Sequence, residues 1–399
     1  MTKSWKYDVT AVLCVIAAMI AVMMFTGYWP TRPNEYNSYT LQACAWLDGH
    51  LDLGQSYRHL EIAEYGGKYY ISFPPFPSYV MLPFALLMGE NTPDAIIALL
   101  ITVIGIQYAS HLYRALCKDG HDLFWVLFLY LGTGYVFIAV NGYVWFIAQT
   151  MCFTLSFMAL YYATRGKGCA SLTAWACAVG CRPLVFLYLP LLLGILWRSY
   201  RSEVSLLSLV RQKWYWCVGP LLIGGSYMML NYLRFDNVFE FGHSYLPEFV
   251  RASAGQFSIT YFADNFVKLF RMPVWNGTAS PVTFYTANGM ALWLVNPMFV
   301  TIAIAWIYAL CKCWREDVFI LATIPLLTVA YVFILCCHRT LGGWHFGNRY
   351  LLDVMPWLFW GLIRWKPELD LFALLNLPLC CFGISLNLIG TVAVYNYWI

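Results

Sequence analysis

Long apolar runs separated by short polar segments dominate this chain. Ten runs are long enough to cross a bilayer once, or twice as a pair of short legs, because a spanning helix needs about 20 residues. They lie near residues 9–29, 95–113, 123–140, 143–163, 169–197, 214–232, 286–310, 318–337, 350–363 and 370–397. The pattern predicts an all-α polytopic membrane protein whose single transmembrane domain covers residues 1–399.

One further run, 74–89, is short for a spanning helix and rich in proline, which disrupts helices. Two topologies are possible: residues 74–89 cross the membrane and 169–197 form one span, or 74–89 lie along the outer surface and 169–197 form two short legs. The excess of Lys and Arg in cytoplasmic loops distinguishes them. The basic loops fall inside if 74–89 lies along the outer surface and 169–197 forms two short legs that turn at Arg182. We therefore predict about 11 transmembrane helices, with the N-terminus in the cytoplasm and the C-terminus outside.

This topology leaves three larger segments on the outer side, at residues 30–92, 234–285 and 338–349. It places fourteen of the 24 basic residues in the cytoplasm, where the loops are short. Those fourteen are residues 3, 6, 114, 118, 165, 167, 198, 201, 211, 213, 312, 315, 364 and 366. Function is therefore expected at the outer face of the membrane.

The first outer segment shows two kinds of periodicity. A helical stripe predicts an amphipathic juxtamembrane helix that begins just after Glu35, with Asn37, Gln42 and Asp48 turned away from the apolar side; the stripe comprises Tyr36, Tyr39, Thr40, Ala43, Cys44 and Leu47. Residues 62–71 predict a hairpin with Gly66-Gly67 at its tip. Pro74-Pro75 then begins a second juxtamembrane helix. Glu35 is expected to point back toward the helix bundle.

Composition excludes a water-soluble enzyme. Hydrophobic residues make up 61% of the chain, charged residues 11%, and the mean hydropathy is +0.62, whereas a soluble domain has about 25% charged residues. The net charge of +4 is too small to indicate a nucleic-acid partner. Most of the 14 cysteines lie in apolar runs, where a thiol behaves as a small hydrophobe, so no disulfide framework is expected.

Several short motifs occur together in one order along the chain. An acidic residue follows the first span, and a surface helix, a Gly-Lys-Tyr-Tyr stretch and a Pro-Pro helix come next. Later elements are Cys181-Arg182-Pro183, the aromatic segment 231–242, and the Gly-rich segment 342–351 with its Arg-Tyr-Leu. The combination resembles the GT-C superfamily of membrane glycosyltransferases, which includes the protein O-mannosyltransferase group (family 39) and the bacterial lipid A aminoarabinose transferases.

The resemblance implies an inverting glycosyltransferase in the plasma membrane. A sugar would move from a polyprenyl-phosphate donor to a glycan, lipid or protein acceptor at the outer face, among membrane lipids. Such chemistry needs a base for the acceptor hydroxyl and cations for the phosphate. Glu35 is the candidate base. The candidate substrate-binding residues are Arg58, Lys68, Tyr70, Arg182, His345 and Arg349.

Each candidate also has a structural explanation. Glu35 could cap its helix as a first-turn acid, and Arg349 could pair with Asp353 one turn later. Arg182 could reach the outer interface with its long side chain. Arg58 and Lys68 could belong to a solvated loop surface, and His345 could be hydrogen-bonded locally.

The sequence also departs from the family pattern. Asn34 precedes Glu35, so one carboxylate is available there, and Asn141 replaces the acidic residue that some relatives carry after the third span. A divalent metal would need two or more acidic oxygen ligands, so the sequence provides no clear ligand cluster for a cofactor. The alternative functions are a transporter or lipid flippase, although no inverted repeat is evident, and a non-catalytic assembly subunit.

Overall fold

The structure of the protein is a computed structural model, and it describes residues 4–200, 205–275, 282–312, 314–368 and 370–399. Helices form most of this part of the chain. They are α1 Ser4–Thr26, α2 Ser38–Leu47, α3 Phe76–Met88, α4 Asp94–Leu116, α5 Asp122–Leu131, α6 Tyr135–Ala139, α7 Val144–Thr164, α8 Gly168–Val179, α9 Leu189–Arg198, α10 Leu206–Gln212, α11 Val218–Phe235, α12 Pro247–Val250, α13 Phe262–Lys268, α14 Leu292–Val295, α15 Met298–Lys312, α16 Trp314–Cys337, α17 Met355–Trp365 and α18 Asp370–Tyr395.

Two short antiparallel strand pairs also lie in the described part of the chain. One pairs β1 Ile62–Tyr65 with β2 Lys68–Ile71, and the other pairs β3 Val274–Trp275 with β4 Val282–Thr283. The first confirms the predicted hairpin. Its tip is Gly66-Gly67 with φ values of 58° and 75°, and two successive positive φ angles are what a tight two-residue turn requires.

In the described part of the chain, five helical segments are long and apolar enough to cross a membrane: Trp5–Thr26, Asp94–Leu116, Val144–Thr164, Asp317–Cys337 and Leu374–Tyr395. Four shorter apolar helices accompany them, at Asp122–Leu131, Gly168–Val179, Pro183–Arg198 and Met298–Lys312. The all-α class of membrane protein is therefore confirmed. The count of about eleven crossings stays a prediction.

The run 169–197 is broken where the sequence predicted. Helix α8 ends at Val179, and a 3₁₀ helix, Pro183–Tyr188, begins directly after Arg182. Proline at the first position of that helix cannot continue the hydrogen-bond ladder of α8, so the chain turns there.

Ion pairs gather the segments predicted to be cytoplasmic at one end of the bundle. Arg114 links α1 to α5, because its Nη2 lies 2.8 Å from Asp8 and its Nη1 lies 2.7 Å from Asp122. The other pairs at this end are Lys366 with Asp119, Arg198 with Asp317, and Arg364 with Asp317. The ends of α4, α9 and α17 therefore meet the starts of α1, α5 and α16.

The chain's last residues lie at the other end. Asn396 donates a hydrogen bond from Nδ2 to the carbonyl oxygen of Phe25, over 3.1 Å. Since Asp8 lies near the start of α1 and Phe25 near its end, these two contacts are separated by most of the helix. A helix of this length is about 35 Å long. The C-terminus therefore lies opposite the ion pairs.

One predicted surface is wrong. Gln42 was expected to face away from the apolar side of α2, but it is 1% exposed, and Ser38 and Thr40 on the same helix are buried too. Helix α3 covers this side, and Ser78 donates a hydrogen bond over 2.8 Å to the side-chain oxygen of Gln42. Helix α2 is therefore packed within the protein on both its polar and its apolar sides.

Candidate functional site

A cavity of about 590 Å³ lies where the three outer segments meet. Its walls come from the first hairpin region, the turn before Pro183, the start of α7, the second outer segment and the Gly-rich third segment. The charged and titratable side chains in its lining include Glu61, Arg182, His243, Glu248, His338 and Arg349. The fold thus brings together residues that lie far apart in sequence.

Glu61 supplies a partly buried carboxylate to this cavity. The indole Nε1 of Trp145 donates a hydrogen bond to Oε1 over 3.0 Å, and the Ser72 hydroxyl fixes the backbone by donating to the Glu61 carbonyl over 2.8 Å. Burial raises the pKa of Glu61 to about 7, and the charge of Glu248 also raises it, whereas Trp145 and Arg349 lower it. A carboxylate that titrates near neutral pH suits a general base.

Arg349 supplies a buried cation. Its Nε and Nη2 donate to the carbonyl oxygen of Gly342 over 3.1 and 2.8 Å, and its guanidinium carbon lies 4.7 Å from the ring centre of Tyr350. Gly342 has a φ of 103°, which favours glycine. Burial lowers the pKa of Arg349. In the described residues Nη1 has no hydrogen-bond partner and no carboxylate forms an ion pair with Arg349, so an anion would stabilise this side chain.

Arg182 forms the ion pair with Asp353, with Nε 2.9 Å from Oδ2. Tyr331 and Gln149 also donate to Asp353, over 2.8 and 2.7 Å. The alternative pairing of Asp353 with Arg349 is therefore wrong. Residues 349–353 form a 3₁₀ helix, in which positions four apart do not lie on one face as they do in an α-helix.

Two histidines line the cavity beside Glu61 and the arginines. His243 donates from Nδ1 to the carbonyl oxygen of Ser72 over 3.2 Å, which leaves its Nε2 as an acceptor when the ring is neutral. Burial lowers the pKa of His243 to about 4 and also lowers the pKa of His338. Both rings are therefore neutral at physiological pH.

Glu35 lies outside the cavity lining. Its side chain is exposed, so it does not point back into the bundle as the sequence predicted. The residues on either side of Glu35 contact other parts of the protein. Asn34 donates a hydrogen bond to Asp94 over 3.2 Å, and the ring of Tyr36 packs 5.2 Å from that of Trp145. The catalytic role of Glu35 stays a prediction. The carboxylates in the cavity lining are Glu61, Glu240 and Glu248, and Glu61 is the one that Trp145 contacts and whose pKa is raised to about 7.

The remaining candidates also lie away from the cavity lining. Arg58 and Lys68 are exposed, and Lys68 lies 3.9 Å from Asp52. Tyr70 is buried with its ring 5.3 Å from that of Phe235. Only Arg182 and Arg349 of the predicted binding residues line the cavity.

His345 is fully buried and does not line the cavity. Burial lowers its pKa to about 3, and the charge of Arg349 acts in the same direction. It is therefore a neutral residue of the protein interior. A role in binding phosphate as a cation is not supported by this position.

The sequence showed Glu61 and His243 as members of the outer loops but gave no reason to select them. Glu61 precedes the first strand, close to Glu64, and spacing does not distinguish the two. Their side chains differ only in the folded protein, where Glu64 is exposed and Glu61 contacts Trp145.

For a divalent metal, the described residues contain no group of three or more His, Cys, Asp and Glu side chains placed to hold an ion. The residues present therefore do not form a recognisable ligand set, and no chemical step is assigned to a metal.

These features define a class: a helical membrane protein with several candidate membrane spans and a cavity lined by charged side chains at one end. Two solved GT-C glycosyltransferase structures have the same fold. An oligosaccharyltransferase of Archaeoglobus fulgidus, in its apo form, matches with a TM-score of 0.57 and 11% identity over 99% of this chain and 56% of its own. ArnT of Cupriavidus metallidurans, bound to undecaprenyl phosphate, matches with a TM-score of 0.55 and 13% identity over 100% of this chain and 78% of its own.

The chain therefore has the GT-C fold, as its sequence motifs predicted. It spans little more than half the length of the archaeal protein. No family model matches the sequence, and no curated protein matches it either.

Proposed function

We propose that the protein is a membrane glycosyltransferase that moves a sugar from a polyprenyl-phosphate donor to a hydroxyl acceptor in the 590 Å³ cavity. The observation that carries this proposal is the pairing, in one cavity of a GT-C fold, of a carboxylate with a pKa of about 7 and a buried arginine whose Nη1 has no partner in the described residues. The ArnT structure with undecaprenyl phosphate supports the donor class. The outer face of the plasma membrane is the proposed location.

In this reaction Glu61 accepts the proton of the acceptor hydroxyl as its oxygen attacks the anomeric carbon. The bond between that carbon and the phosphate oxygen breaks, and its electron pair stays on the polyprenyl phosphate, which leaves as an anion. A single displacement of this kind inverts the anomeric centre. The proton on Glu61 then passes to water.

Arg349 meets the charge that develops on the leaving phosphate. It is already desolvated and held by Gly342, so it needs no rearrangement when the charge appears. Arg182 contributes less charge, because Asp353 balances it, and it helps to hold Tyr350, whose ring centre lies 4.5 Å from its guanidinium carbon.

The test compares Glu61→Gln with Glu35→Gln in purified protein given labelled polyprenyl-phosphate sugars and a membrane extract as acceptor. Loss of a general base reduces the rate by about 10²- to 10⁴-fold. We expect that loss in Glu61→Gln and near-normal transfer in Glu35→Gln, since the two variants make the same chemical change inside and outside the cavity. The reverse pattern would identify Glu35 rather than Glu61 as the general base. Absence of transfer from every donor would contradict the proposed function.

A further inference from the structure

A second cavity, of about 500 Å³, lies beside the first at the same end of the protein. One wall is the first hairpin and the other is the region of α12 in the second outer segment. We call it the hairpin groove. Its lining residues are Ser56, Ile62, Glu64, Gly66, Gly67, Tyr69, Tyr245, Pro247, Val250 and Arg251.

The hairpin groove and the main cavity share a thin wall. Glu61 lines the cavity and Ile62, the next residue, lines the groove. On the opposite side, Glu248 lines the cavity while Pro247 lines the groove. A molecule in the groove therefore lies beside Ile62, the residue that directly follows Glu61, which we propose as the base.

The walls of the groove are held in place before any ligand arrives. Four cross-strand pairs fix the hairpin, and Arg234 donates to the carbonyl oxygen of Ile71 over 3.1 Å, which ties α11 to β2. The ring of Tyr245 packs 5.0 Å from that of Tyr65 and 5.6 Å from that of Phe235. Binding in a preformed groove avoids the cost of ordering the protein.

The chemistry of the lining favours an uncharged sugar chain. Tyr69 and Tyr245 offer aromatic rings for the C–H faces of sugars, and Glu64 and Arg251 offer an acceptor and donors for hydroxyl groups. In the described residues neither Glu64 nor Arg251 forms an ion pair, and both are exposed. A lipid tail would leave these polar groups without partners, and a polyanion would meet Glu64.

We propose that the hairpin groove binds the acceptor and that the acceptor is an uncharged glycan of several sugars. The sugar that is modified enters the cavity, and the neighbouring sugars lie between Tyr69 and Arg251. This proposal rests on the proposed function and narrows its acceptor from glycan, lipid or protein to glycan.

The test uses envelope glycan of the source cells, released by mild acid and separated by size into single-sugar and longer fractions. Transfer to each fraction is measured for the full chain, for Tyr69→Ala and Arg251→Ala, and for Tyr232→Ala. Tyr232 is an exposed tyrosine outside both cavities, so its variant controls for the loss of a surface ring.

We expect Tyr69→Ala and Arg251→Ala to raise KM for the longer fractions by about 10-fold, which corresponds to one lost aromatic or polar contact. The kcat, the KM for donor and transfer to the single-sugar fraction should not change, and Tyr232→Ala should behave as the unmodified chain. A KM that is unchanged for every fraction would overturn the glycan groove while leaving the proposed function intact. A dependence on Tyr69 seen with short peptide acceptors would overturn it in favour of a protein acceptor.

Calorimetric titration of the same fractions into the purified protein supplies a readout that needs no transfer. Binding of the longer fractions that weakens in Tyr69→Ala supports the groove even where every transfer assay fails. Failure of transfer with intact binding would count against the proposed function alone. If none of the fractions bound, the proposal that the hairpin groove binds a glycan would be overturned.

Discussion

Glu61 and Arg349 are desolvated in the same cavity, with opposite consequences for charge. Burial holds the proton on Glu61 up to about pH 7, whereas Arg349 remains charged at that pH although burial lowers its pKa. The cavity therefore contains a carboxyl group that can be protonated or ionised near neutral pH and a guanidinium group that stays charged. Catalytic groups often have pKa values shifted in this way.

The pH dependence of transfer follows from Glu61. The base must be ionised, so the rate should rise with pH through an apparent pKa near 7 and level off above it. The rising limb should be absent from the residual activity of Glu61→Gln and unchanged in Glu35→Gln. Initial rates between pH 5 and 9 at saturating donor check this, and a limb that is identical in all three proteins would contradict it.

Stability should depend on pH with the opposite sign. Between about pH 4.5, where an unfolded Glu ionises, and pH 7, the folded protein keeps the proton that the unfolded chain loses. The unfolded state is then favoured as pH rises. Relative to Glu61→Gln, the Tm of the unmodified protein in detergent should fall across this window and stay level above it. A relative rise in Tm would contradict the assigned direction of the shift.

Close contacts between elements position the end of the helix bundle that holds the cavity. Asn34 donates from Nδ2 to both Asp94 and the carbonyl oxygen of Gly142, each over 3.2 Å, and Thr40 donates to Asp94 over 2.7 Å. The first outer segment is thus attached to the start of α4 and to the chain just before α7. Trp145, which holds Glu61, follows three residues after Gly142.

Gly142 permits this approach because it has no side chain. An added Cβ would collide with the backbone of Asp94, which cannot move away as a flexible side chain could. We expect Gly142→Ala to destabilise the protein by about 1–3 kcal/mol and to lower transfer through displacement of Trp145.

Gly225→Ala is the matched control, because nothing lies within 4 Å of its added Cβ within α11. It should leave the Tm unchanged or raise it slightly, since alanine favours a helix interior by about 1 kcal/mol over glycine. Thermal unfolding in detergent compares the two variants. An equal Tm for the two variants would contradict the prediction, because it would mean that the close approach of Gly142 to Asp94 does not affect stability.

On the scale of the whole molecule, the ion pairs and the cavity lie at opposite ends of the bundle. Ion pairs bind the predicted cytoplasmic segments together at one end, and the cavity, the hairpin groove and the C-terminal residues lie at the other. The positive-inside rule predicts that the end with these ion pairs lies in the cytoplasm.

A C-terminal fusion tests the orientation. Alkaline phosphatase needs disulfides that form outside the cytoplasm, so a fusion after Ile399 should be active, and a green fluorescent protein fusion at the same position should be dark. Fusions after Lys118, in a predicted cytoplasmic loop, should give the reverse result. An inactive phosphatase after Ile399 with normal membrane insertion would contradict the predicted parity of the crossings.

Local signals explain which features of the fold were predictable. The first hairpin followed from Gly66-Gly67 and the break in the run 169–197 from Pro183, because a turn or a helix break depends on a few adjacent residues. The burial of Gln42 did not follow, since it depends on α3 covering a face that looked polar. The partner of Asp353 also escaped prediction, because Arg182 lies 171 positions away in the chain.

The sequence by itself determined that the chain is a helical membrane protein, and it predicted that the site lies in the outer segments. Lipid demands long apolar helices whose backbone groups are satisfied internally, and the scarcity and placement of charge are visible in the order of residues. Only the tertiary structure decided which of the carboxylates in the predicted outer segments line one cavity with Arg182 and Arg349. Glu35 and Glu61 both belong to the first outer segment. The contact of Glu61 with Trp145 and the convergence of three distant segments on one cavity arise from packing, which no local pattern encodes.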